Sequence, residues 1–233
     1  MGPVVHRFSV LKSTQEEARR LLRDGEADIG HVIFADRQTA GRGRFGHDWI
    51  SPIGGLYATF ILDQIELPSI HAGVCVVAAL ERRGLFAHLK WPNDVVAGGK
   101  KLAGILVETA GERILAGVGV NLIEAPLPTA TSTAVLGVKI DRESLLQAIW
   151  EELGERRSLG EMVDNYRRAC STIGCHVRLI FAGGRSQIQG IAEDIDEQGR
   201  LVVATADGRR TISSGECEHL RVAATVDDWT EHD

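Results

Sequence analysis

The chain has 233 residues, of which 44% are hydrophobic and 25% are charged, a composition that supports a packed core and excludes a disordered chain. Its length suits one large domain, or a larger and a smaller one. The formal net charge of −6 argues against a protein that binds DNA, because such proteins normally carry a basic surplus. No stretch resembles a signal peptide or is long enough to span a membrane, so the sequence predicts a cytoplasmic protein.

The four cysteines are Cys75, Cys170, Cys175 and Cys217. None forms a C-x-x-C pair, and no histidine stands at a spacing typical of zinc sites. We therefore predict reduced, buried thiols and no metal centre, which agrees with a reducing cytoplasm.

The N-terminal segment predicts a strand at Val4–Leu11 followed by a helix. Ser13 and Glu16 have the spacing of a capping box, so the helix is expected to begin there, and Gly25 is a natural stop. A second strand, Val32–Ala35, then leads into a segment rich in glycine and arginine.

That segment, residues 41–49, reads GRGRFGHDW. Its glycines permit unusual backbone angles, and its two arginines offer planar forks suited to carboxylate or phosphate. We interpret the segment as a loop that is mobile alone and closes over a small anionic ligand. Composition alone allows an equally simple alternative, a solvated surface loop.

The middle of the chain predicts a helix among several strands. The helix spans Ser69–Arg83 and ends at Gly84, and Gly98-Gly99 has the composition of a hairpin tip. The succession of strands indicates a mixed or antiparallel sheet, and neither a P-loop nor a dinucleotide motif is present. The predicted strands are Gly55–Leu62, His88–Pro92, Asp94–Ala97, Lys101–Thr109 and Ile114–Leu122.

Two further helices are predicted at Asp141–Arg157 and Gly160–Ala169. After them the predicted elements change from helices to short strands. Short strands separated by glycine-containing turns predict a small all-β barrel, with a boundary near residue 173. The expected organisation is a catalytic domain at 1–173, a small domain at 174–223 and an acidic tail at 224–233. The predicted barrel strands are Val177–Phe181, Gln187–Ile195, Leu201–Ala204 and Thr211–Ser213.

Three ordered motifs resemble the signatures of biotin protein ligases. They are GRGRFG (41–46) with WISPIGGLY (49–57), KWPND (90–94) with KLAGILVE (101–108), and GVGVN (117–121). GIAEDIDEQGRL (190–201) and SGE (214–216) resemble the small C-terminal domain of that family. The resemblance implies an α+β fold: a mixed, largely antiparallel sheet with a helical layer, followed by an SH3-like β-barrel.

The resemblance also implies a biotin–(biotin carboxyl carrier protein) ligase activity. Biotin reacts with ATP in the presence of Mg²⁺ to give biotinyl-5′-AMP and pyrophosphate. A lysine of a biotin carboxyl carrier protein domain then takes the biotinyl group and AMP leaves. The oligomeric state, monomer or homodimer, is left open, as is the carboxylase modified.

The family match assigns roles to individual residues of this chain. Lys101, Arg42 and Arg44 are the expected catalytic cations, and Asp94 is expected to orient the incoming lysine. The positions that match biotin contacts are Ser13, Thr14, Gln15, Gln38, Arg42, Gly43, Arg44, Lys101 and Gly104. Those that match the nucleotide site are Trp49, Lys90, Asn93 and Asn121.

The chain departs from the family at two points. Many bacterial members carry Arg and Lys where this chain has His47 and Asp48, so the loop is less basic here. Some members begin with a DNA-binding domain, whereas the motifs of this chain already begin at Ser13. We therefore expect a ligase without a repressor function.

Two alternative functions compete with this interpretation. A lipoate or octanoate ligase or transferase shares the catalytic fold, but its substrate lacks the ureido ring that Ser13, Thr14 and Gln38 would bind. A catalytically inactive biotin sensor or small β-barrel interaction module would not need Arg42, Arg44 and Lys101.

Overall fold

A computed structural model describes residues 2–181 and 186–220. The N-terminal part contains nine strands and four helices. The strands are β1 (Val4–Phe8), β2 (His31–Ala35), β3 (Gly41–Arg42), β4 (Asp48–Trp49), β5 (Leu56–Leu62), β6 (His88–Lys90), β7 (Asp94–Ala97), β8 (Lys100–Ala110) and β9 (Arg113–Val120). The helices are α1 (Thr14–Arg23), α2 (Pro68–Glu81), α3 (Arg142–Gly154) and α4 (Leu159–Ala169).

Seven of these strands form the main sheet in the order β1-β2-β5-β9-β8-β7-β6. The β1–β2 pair is parallel, and the other five neighbouring pairs are antiparallel. The mixed, largely antiparallel sheet predicted from the succession of strands is therefore confirmed.

Helix α1 covers one face of the sheet, against β2, β5 and β9. Its predicted start is confirmed, since the Ser13 hydroxyl accepts a hydrogen bond from the Glu16 backbone N–H at 3.4 Å. Ala18 and Leu21 form the buried stripe, and Gly25 follows the helix with a φ of +71°. This left-handed conformation explains why glycine stands where the helix ends.

Helices α2, α3 and α4 form a layer on the other face. Helix α2 lies between the sheet and the other two helices, and ten of its 14 residues are buried. Because it is enclosed on all sides, α2 is apolar all round instead of showing one apolar stripe.

His71 is a buried polar residue of this helical layer. Its Nε2 lies 3.3 Å from the Leu153 carbonyl oxygen of α3, and its Nδ1 lies 2.9 Å from the Met162 sulfur of α4. Burial lowers the pKa of His71, because the charged imidazole loses its hydration there.

We therefore expect the free energy of unfolding to decrease as the pH falls below about 6.5, the ordinary histidine value. The unfolded chain then takes up a proton that the folded His71 does not bind. The free energy of unfolding therefore falls by up to about 1.4 kcal/mol per pH unit. Urea unfolding at pH 7.5 and 5.5 should show a smaller decrease in His71→Gln than in the parent chain. Equal decreases in the two proteins would contradict this role of His71.

A second sheet follows, made of β10 (His176–Ile180), β11 (Gln187–Ile195), β12 (Leu201–Thr205), β13 (Gly208–Ile212) and β14 (Glu216–His219). All pairings are antiparallel, in the order β13-β12-β11-β10-β14. Four strands fall at or near their predicted positions, whereas β14 was not predicted. Strands β13 and β14 stand at opposite edges of this sheet. Among the described residues they do not pair, so the sheet is not closed into the predicted barrel.

The two sheets are joined by buried contacts. The Trp91 indole N–H donates to the Gly199 carbonyl oxygen at 3.2 Å, and the Trp91 backbone N–H donates to the Thr172 hydroxyl at 3.0 Å. One hydrophobic cluster contains residues of both sheets, including Leu89 and Val177. The boundary near residue 173 stays a prediction, since the core runs across it. The predicted turn at Gly183-Gly184 and the acidic tail lie outside the described residues.

All four cysteines are free, and three of them are buried, with Cys175 partly exposed. Burial raises the pKa of Cys75 and of Cys217 to about 12. These thiols therefore stay protonated at neutral pH. No helix of the described residues has the length and apolar character needed to cross a bilayer.

Candidate active site

A cleft of about 290 Å³ opens where the start of α1, the β3–β4 hairpin, strands β8 and β9 and strand β14 meet. It contains most of the residues that the sequence singled out. Those that line it are Ser13, Thr14, Gln15, Gln38, Arg42, Gly43, Arg44, Trp49, Asn93, Asp94, Lys101 and Gly104.

Part of the lining of the cleft is a polar network around Gln38. The Gln38 side-chain oxygen accepts from the Thr14 backbone N–H at 2.8 Å and from the Thr14 hydroxyl at 3.2 Å, while its Nε2 donates to Ser51 Oγ at 2.9 Å. These bonds fix the orientation of the amide. The second N–H of Gln38 and the hydroxyl hydrogen of Ser13 have no acceptor among the described residues, so both remain for a ligand.

Gln15 lies deeper than this network. Its Nε2 lies 3.2 Å from the carbonyl oxygens of both Leu106 and Leu115, and its Oε1 lies 2.9 Å from the Thr59 hydroxyl. The side-chain amide is thus already satisfied by the sheet. Gln15 borders the cleft, and its contacts indicate that it anchors α1 to β8 and β9.

The arginine-rich segment, predicted as a loop, forms a short hairpin in which two-residue strands flank residues 43–47. Gly41 pairs with Trp49, Arg42 pairs with Asp48, and the Gly43 N–H donates to the His47 carbonyl oxygen at 2.7 Å. Two-residue strands escape sequence analysis because they have room for neither alternation nor a run of β-branched residues. The hairpin covers the cleft, whereas ordering of this segment by a ligand stays a prediction.

Each cation of the cleft has a partner within the protein. Lys101 Nζ lies 2.7 Å from Asp94 Oδ1, and Arg44 Nη1 donates to Asn93 Oδ1 at 3.2 Å. Arg42 forms an ion pair with Glu16 of α1. Burial lowers the pKa of Arg44, although the nearby carboxylate of Asp94 acts in the opposite direction. A half-buried guanidinium without a bidentate carboxylate partner favours the binding of an anion here.

Trp49 forms a wall of the cleft. Its indole lies against Gly104 of β8 and Gly119 of β9, where an added Cβ would stand 2.9 Å and 2.5 Å from the ring. Lys101 Nζ lies 5.4 Å from the centre of the same ring. The two glycines are therefore required by close approach of the indole to the strands.

Replacement of Gly119 by alanine is expected to lower the free energy of unfolding by about 1–3 kcal/mol, the usual effect of overpacking. The new methyl group would stand 2.5 Å from atoms of the Trp49 indole. Because the β9 backbone is fixed in the sheet, the indole would have to move. The matched control is Gly160→Ala on α4, where nothing lies within 4 Å of the added carbon. Urea unfolding of both variants decides the point, and equal midpoints would contradict it.

Two of the predicted nucleotide contacts lie outside the lining of the cleft. Asn121 is 2% exposed, and its Nδ2 donates to the Thr131 carbonyl oxygen at 3.1 Å, tying the segment after β9 to the sheet. Lys90 stands on β6, opposite Asp94 in the β6–β7 register. A nucleotide contact at either position stays a prediction.

The structure adds site residues that the sequence analysis did not assign. Ser51 holds Gln38, and Thr59 lies 2.9 Å from both Thr14 Oγ1 and Gln15 Oε1. Glu216 of β14 lines the cleft from the second sheet. For Ser51 and Glu216 the signal was present, since both fall inside motifs of the family. A threonine within a buried strand, as at position 59, gives no such signal.

Comparison with known proteins identifies the family of this chain. The profile described as "Biotin/lipoate A/B protein ligase family" matches residues 7–122, and "Biotin protein ligase C terminal domain" matches residues 172–220. Biotin--(acetyl-CoA-carboxylase) ligase of Mycobacterium tuberculosis is 37% identical over 84% of this chain and 81% of its own length. The chain belongs to the biotin protein ligase family.

Other relatives extend this similarity. The bifunctional ligase/repressor BirA of Bacillus subtilis is 32% identical over 94% of this chain and 74% of its own length. Among solved structures, the biotin protein ligase from Aquifex aeolicus in complex with biotin and ATP superposes with a TM-score of 0.81 at 28% identity. That match covers 94% of this chain and 99% of the Aquifex chain. The biotin protein ligase fold predicted from the motifs is thereby confirmed.

Proposed function

We propose that this ligase activates biotin with ATP as biotinyl-5′-AMP and transfers the biotinyl group to a lysine of a carrier domain. The observation that carries the proposal is one cleft lined by two different groups of side chains. Ser13, Thr14 and Gln38 supply hydrogen-bonding groups, and Lys101 and Arg44 supply positive charge. A ureido ring suits the first group, and a carboxylate next to a phosphate suits the second.

In the first step a carboxylate oxygen of biotin attacks the α-phosphorus of ATP. A new P–O bond forms, the bond to the bridging oxygen breaks, and pyrophosphate leaves with the electron pair. Two anions approach each other, so fixed cations are needed to offset their repulsion and the charge of the transition state. Lys101 and Arg44 supply these cations, and Lys101 is the better fixed because it stands on strand β8 beside Asp94.

In the second step the neutral amine of the carrier lysine attacks the activated carbonyl carbon. The amide bond forms, AMP leaves, and the nitrogen loses a proton. Asp94 is suited to orient that amine, because its carboxylate lines the cleft and already holds an ammonium group, that of Lys101, at 2.7 Å. Both steps use residues of the same cleft.

Mg²⁺ is expected to accompany ATP. Within residues 2–181 and 186–220 no group of three or more His, Cys, Asp or Glu side chains could hold a metal ion. A site built entirely from the protein therefore does not fit, whereas Mg²⁺ commonly binds through substrate phosphates with one or two carboxylates. We place the ion with the nucleotide and assign it no step.

The protein substrate that we propose is the biotin carboxyl carrier protein domain of a biotin-dependent carboxylase, in the cytoplasm. Two relatives, from Mycobacterium tuberculosis and Paracoccus denitrificans, are named ligases of acetyl-CoA carboxylase. Those names support acetyl-CoA carboxylase as the first carboxylase to test.

Incubation with ATP, Mg²⁺ and one of biotin, lipoate or octanoate tests the proposal. We expect pyrophosphate release and biotinyl-AMP with biotin only, because the other two acids leave the donors of Gln38 and Ser13 without an acceptor. Calorimetry with each acid measures the same preference without catalysis. Pyrophosphate release with lipoate or octanoate but not with biotin would overturn the assignment.

A further inference from the structure

A buried threonine of the sheet stands against the first two residues of α1. Thr59 of β5 is fully buried, and its hydroxyl oxygen lies 2.9 Å from both Thr14 Oγ1 and Gln15 Oε1. In the β5–β9 register Thr59 stands opposite Gly117, where an added Cβ would lie 2.8 Å from Gln15 Oε1. The missing side chain at Gly117 therefore lets Gln15 reach the sheet beside Thr59.

The orientation of the Gln15 amide fixes where the hydrogen of the Thr59 hydroxyl points. Gln15 Nε2 lies 3.2 Å from the carbonyl oxygens of Leu106 and Leu115, which only accept hydrogen bonds, so the amide nitrogen must face them. Gln15 Oε1 is thereby turned towards Thr59, in a side chain that is 4% exposed. A hydroxyl has one hydrogen, and a buried carbonyl oxygen without a donor is costly. The hydrogen of Thr59 therefore goes to Gln15 and not to Thr14.

The same reasoning fixes the direction of the Thr14 hydroxyl. The Thr14 backbone N–H, which only donates, lies 2.8 Å from Gln38 Oε1, so the Gln38 oxygen must face Thr14. The Thr14 hydroxyl then has two acceptors inside the protein, Gln38 Oε1 at 3.2 Å and Thr59 Oγ1 at 2.9 Å. Because Thr59 gives its own hydrogen to Gln15, Thr14 donates to one of these two oxygens and keeps its lone pairs. Thr14 lines the cleft, so its hydroxyl offers a ligand there a lone pair and not a hydrogen.

We propose that Thr59 is a positioning residue that sets the direction of the hydrogen bonds to the ligand. By leaving the Thr14 hydroxyl as an acceptor, it places a lone pair in the cleft with the donors of Gln38 and Ser13. This set suits a group that carries an N–H next to a carbonyl oxygen, as a cyclic urea does. That the group is the ureido ring of biotin rests on the proposed function, whereas the direction of the bond does not.

Calorimetry of the whole protein with biotin, in the absence of ATP, tests the role of Thr59. Thr59→Val keeps the shape of the side chain but removes the donor, and it should bind biotin about two- to tenfold more weakly, the range for one neutral hydrogen bond. Thr59→Ser keeps the hydroxyl and should bind within about twofold of the parent, although it loses a buried methyl group and should unfold at a lower urea concentration. Biotin binding that follows stability instead of the hydroxyl would overturn the proposal.

The matched control is Thr133→Val. Thr133 is 1% exposed, donates to the Leu122 carbonyl oxygen at 3.0 Å and lies outside the lining of the cleft. This variant also loses a buried hydroxyl, so it should unfold at a lower urea concentration but bind biotin like the parent. In steady-state assays Thr59→Val should raise the KM for biotin and leave kcat and the KM for ATP unchanged. A lower kcat with an unchanged KM for biotin would contradict a role in positioning the ligand.

Biotin analogues test the direction of the bond. In each of the two cyclic carbamates of biotin a ring oxygen replaces one ureido N–H, whereas dethiobiotin keeps both N–H groups and loses the sulfur. The parent should bind at least one carbamate about two- to tenfold more weakly than biotin. Thr59→Val should not weaken that carbamate further, but it should weaken dethiobiotin by the same factor as biotin. Equal affinity of the parent for biotin and both carbamates, or equal weakening of all four ligands by Thr59→Val, would overturn the proposal.

The binding measurements also separate this inference from the proposed function. A parent protein that binds no biotin would overturn both. A parent that binds biotin and releases pyrophosphate, together with a Thr59→Val variant that binds biotin equally well, would overturn the role of Thr59 and leave the proposed function standing.

Discussion

Lys101→Ala should fold normally and form biotinyl-AMP about 10²–10³ times more slowly than the parent, the usual loss when one stabilising donor is removed. We expect Lys101 to stand between the two anions, since it is fixed on β8, 2.7 Å from Asp94 and 5.4 Å from the centre of the Trp49 ring. Its removal leaves the repulsion between the carboxylate and the α-phosphate without its main counter-charge. Pyrophosphate release in the presence of biotin and ATP measures the effect.

The matched control is Lys100→Ala. Lys100 is the preceding residue on the same strand, is exposed to solvent and lies outside the lining of the cleft. It should release pyrophosphate at the parental rate. Near-parental release by Lys101→Ala, with unfolding midpoints unchanged, would contradict the role of Lys101.

Arg44→Gly should affect retention of the adenylate more than its synthesis. Biotinyl-AMP is a mixed anhydride that reacts with water and with any lysine, so the closed hairpin must hold it until the carrier arrives. Arg44 is half buried, bonds Asn93 at 3.2 Å and stands over the Phe45 ring at 4.7 Å. Glycine removes this anchor and also frees the backbone.

Loss of a charged hydrogen bond is worth about 1.5–3 kcal/mol, or roughly ten- to a hundredfold in residence time. The measurement is biotinylation of serum albumin, compared at matched rates of adenylate synthesis. Arg44→Lys keeps the positive charge but loses the planar guanidinium. It should label albumin at a rate between those of the parent and Arg44→Gly. If Arg44→Gly makes adenylate but labels albumin no faster than the parent, Arg44 does not retain the intermediate. Its role would then be limited to binding biotin or ATP.

Local sequence determined the elements whose start and end are coded by a few neighbouring residues. Ser13 with Glu16 began α1, Asp141 capped α3, and Gly98-Gly99, both with positive φ, made the turn between β7 and β8. The motifs around residues 41–49, 90–94 and 101–108 also indicated the cleft, through their resemblance to the signatures of biotin protein ligases. The helix starts and the turn depend on short-range sterics and hydrogen bonds, which a single stretch of chain contains.

Tertiary structure decided what depends on residues far apart in the chain. Strand β14, with the sequence ECEH, has no apolar run and exists because it pairs with β10, some 40 residues earlier. Thr59, which lies in no motif, became a site residue only when folding brought β5 to α1. Glu216 lies inside a family motif, but its contact with the hairpin exists only because folding brings β14 there. Asn121, whose nucleotide contact stays a prediction, is buried and donates to the Thr131 carbonyl oxygen, a partner outside its own motif. Such roles follow from packing and long-range strand pairing. The stabilising partners lie far away in the sequence, so no local pattern identifies them.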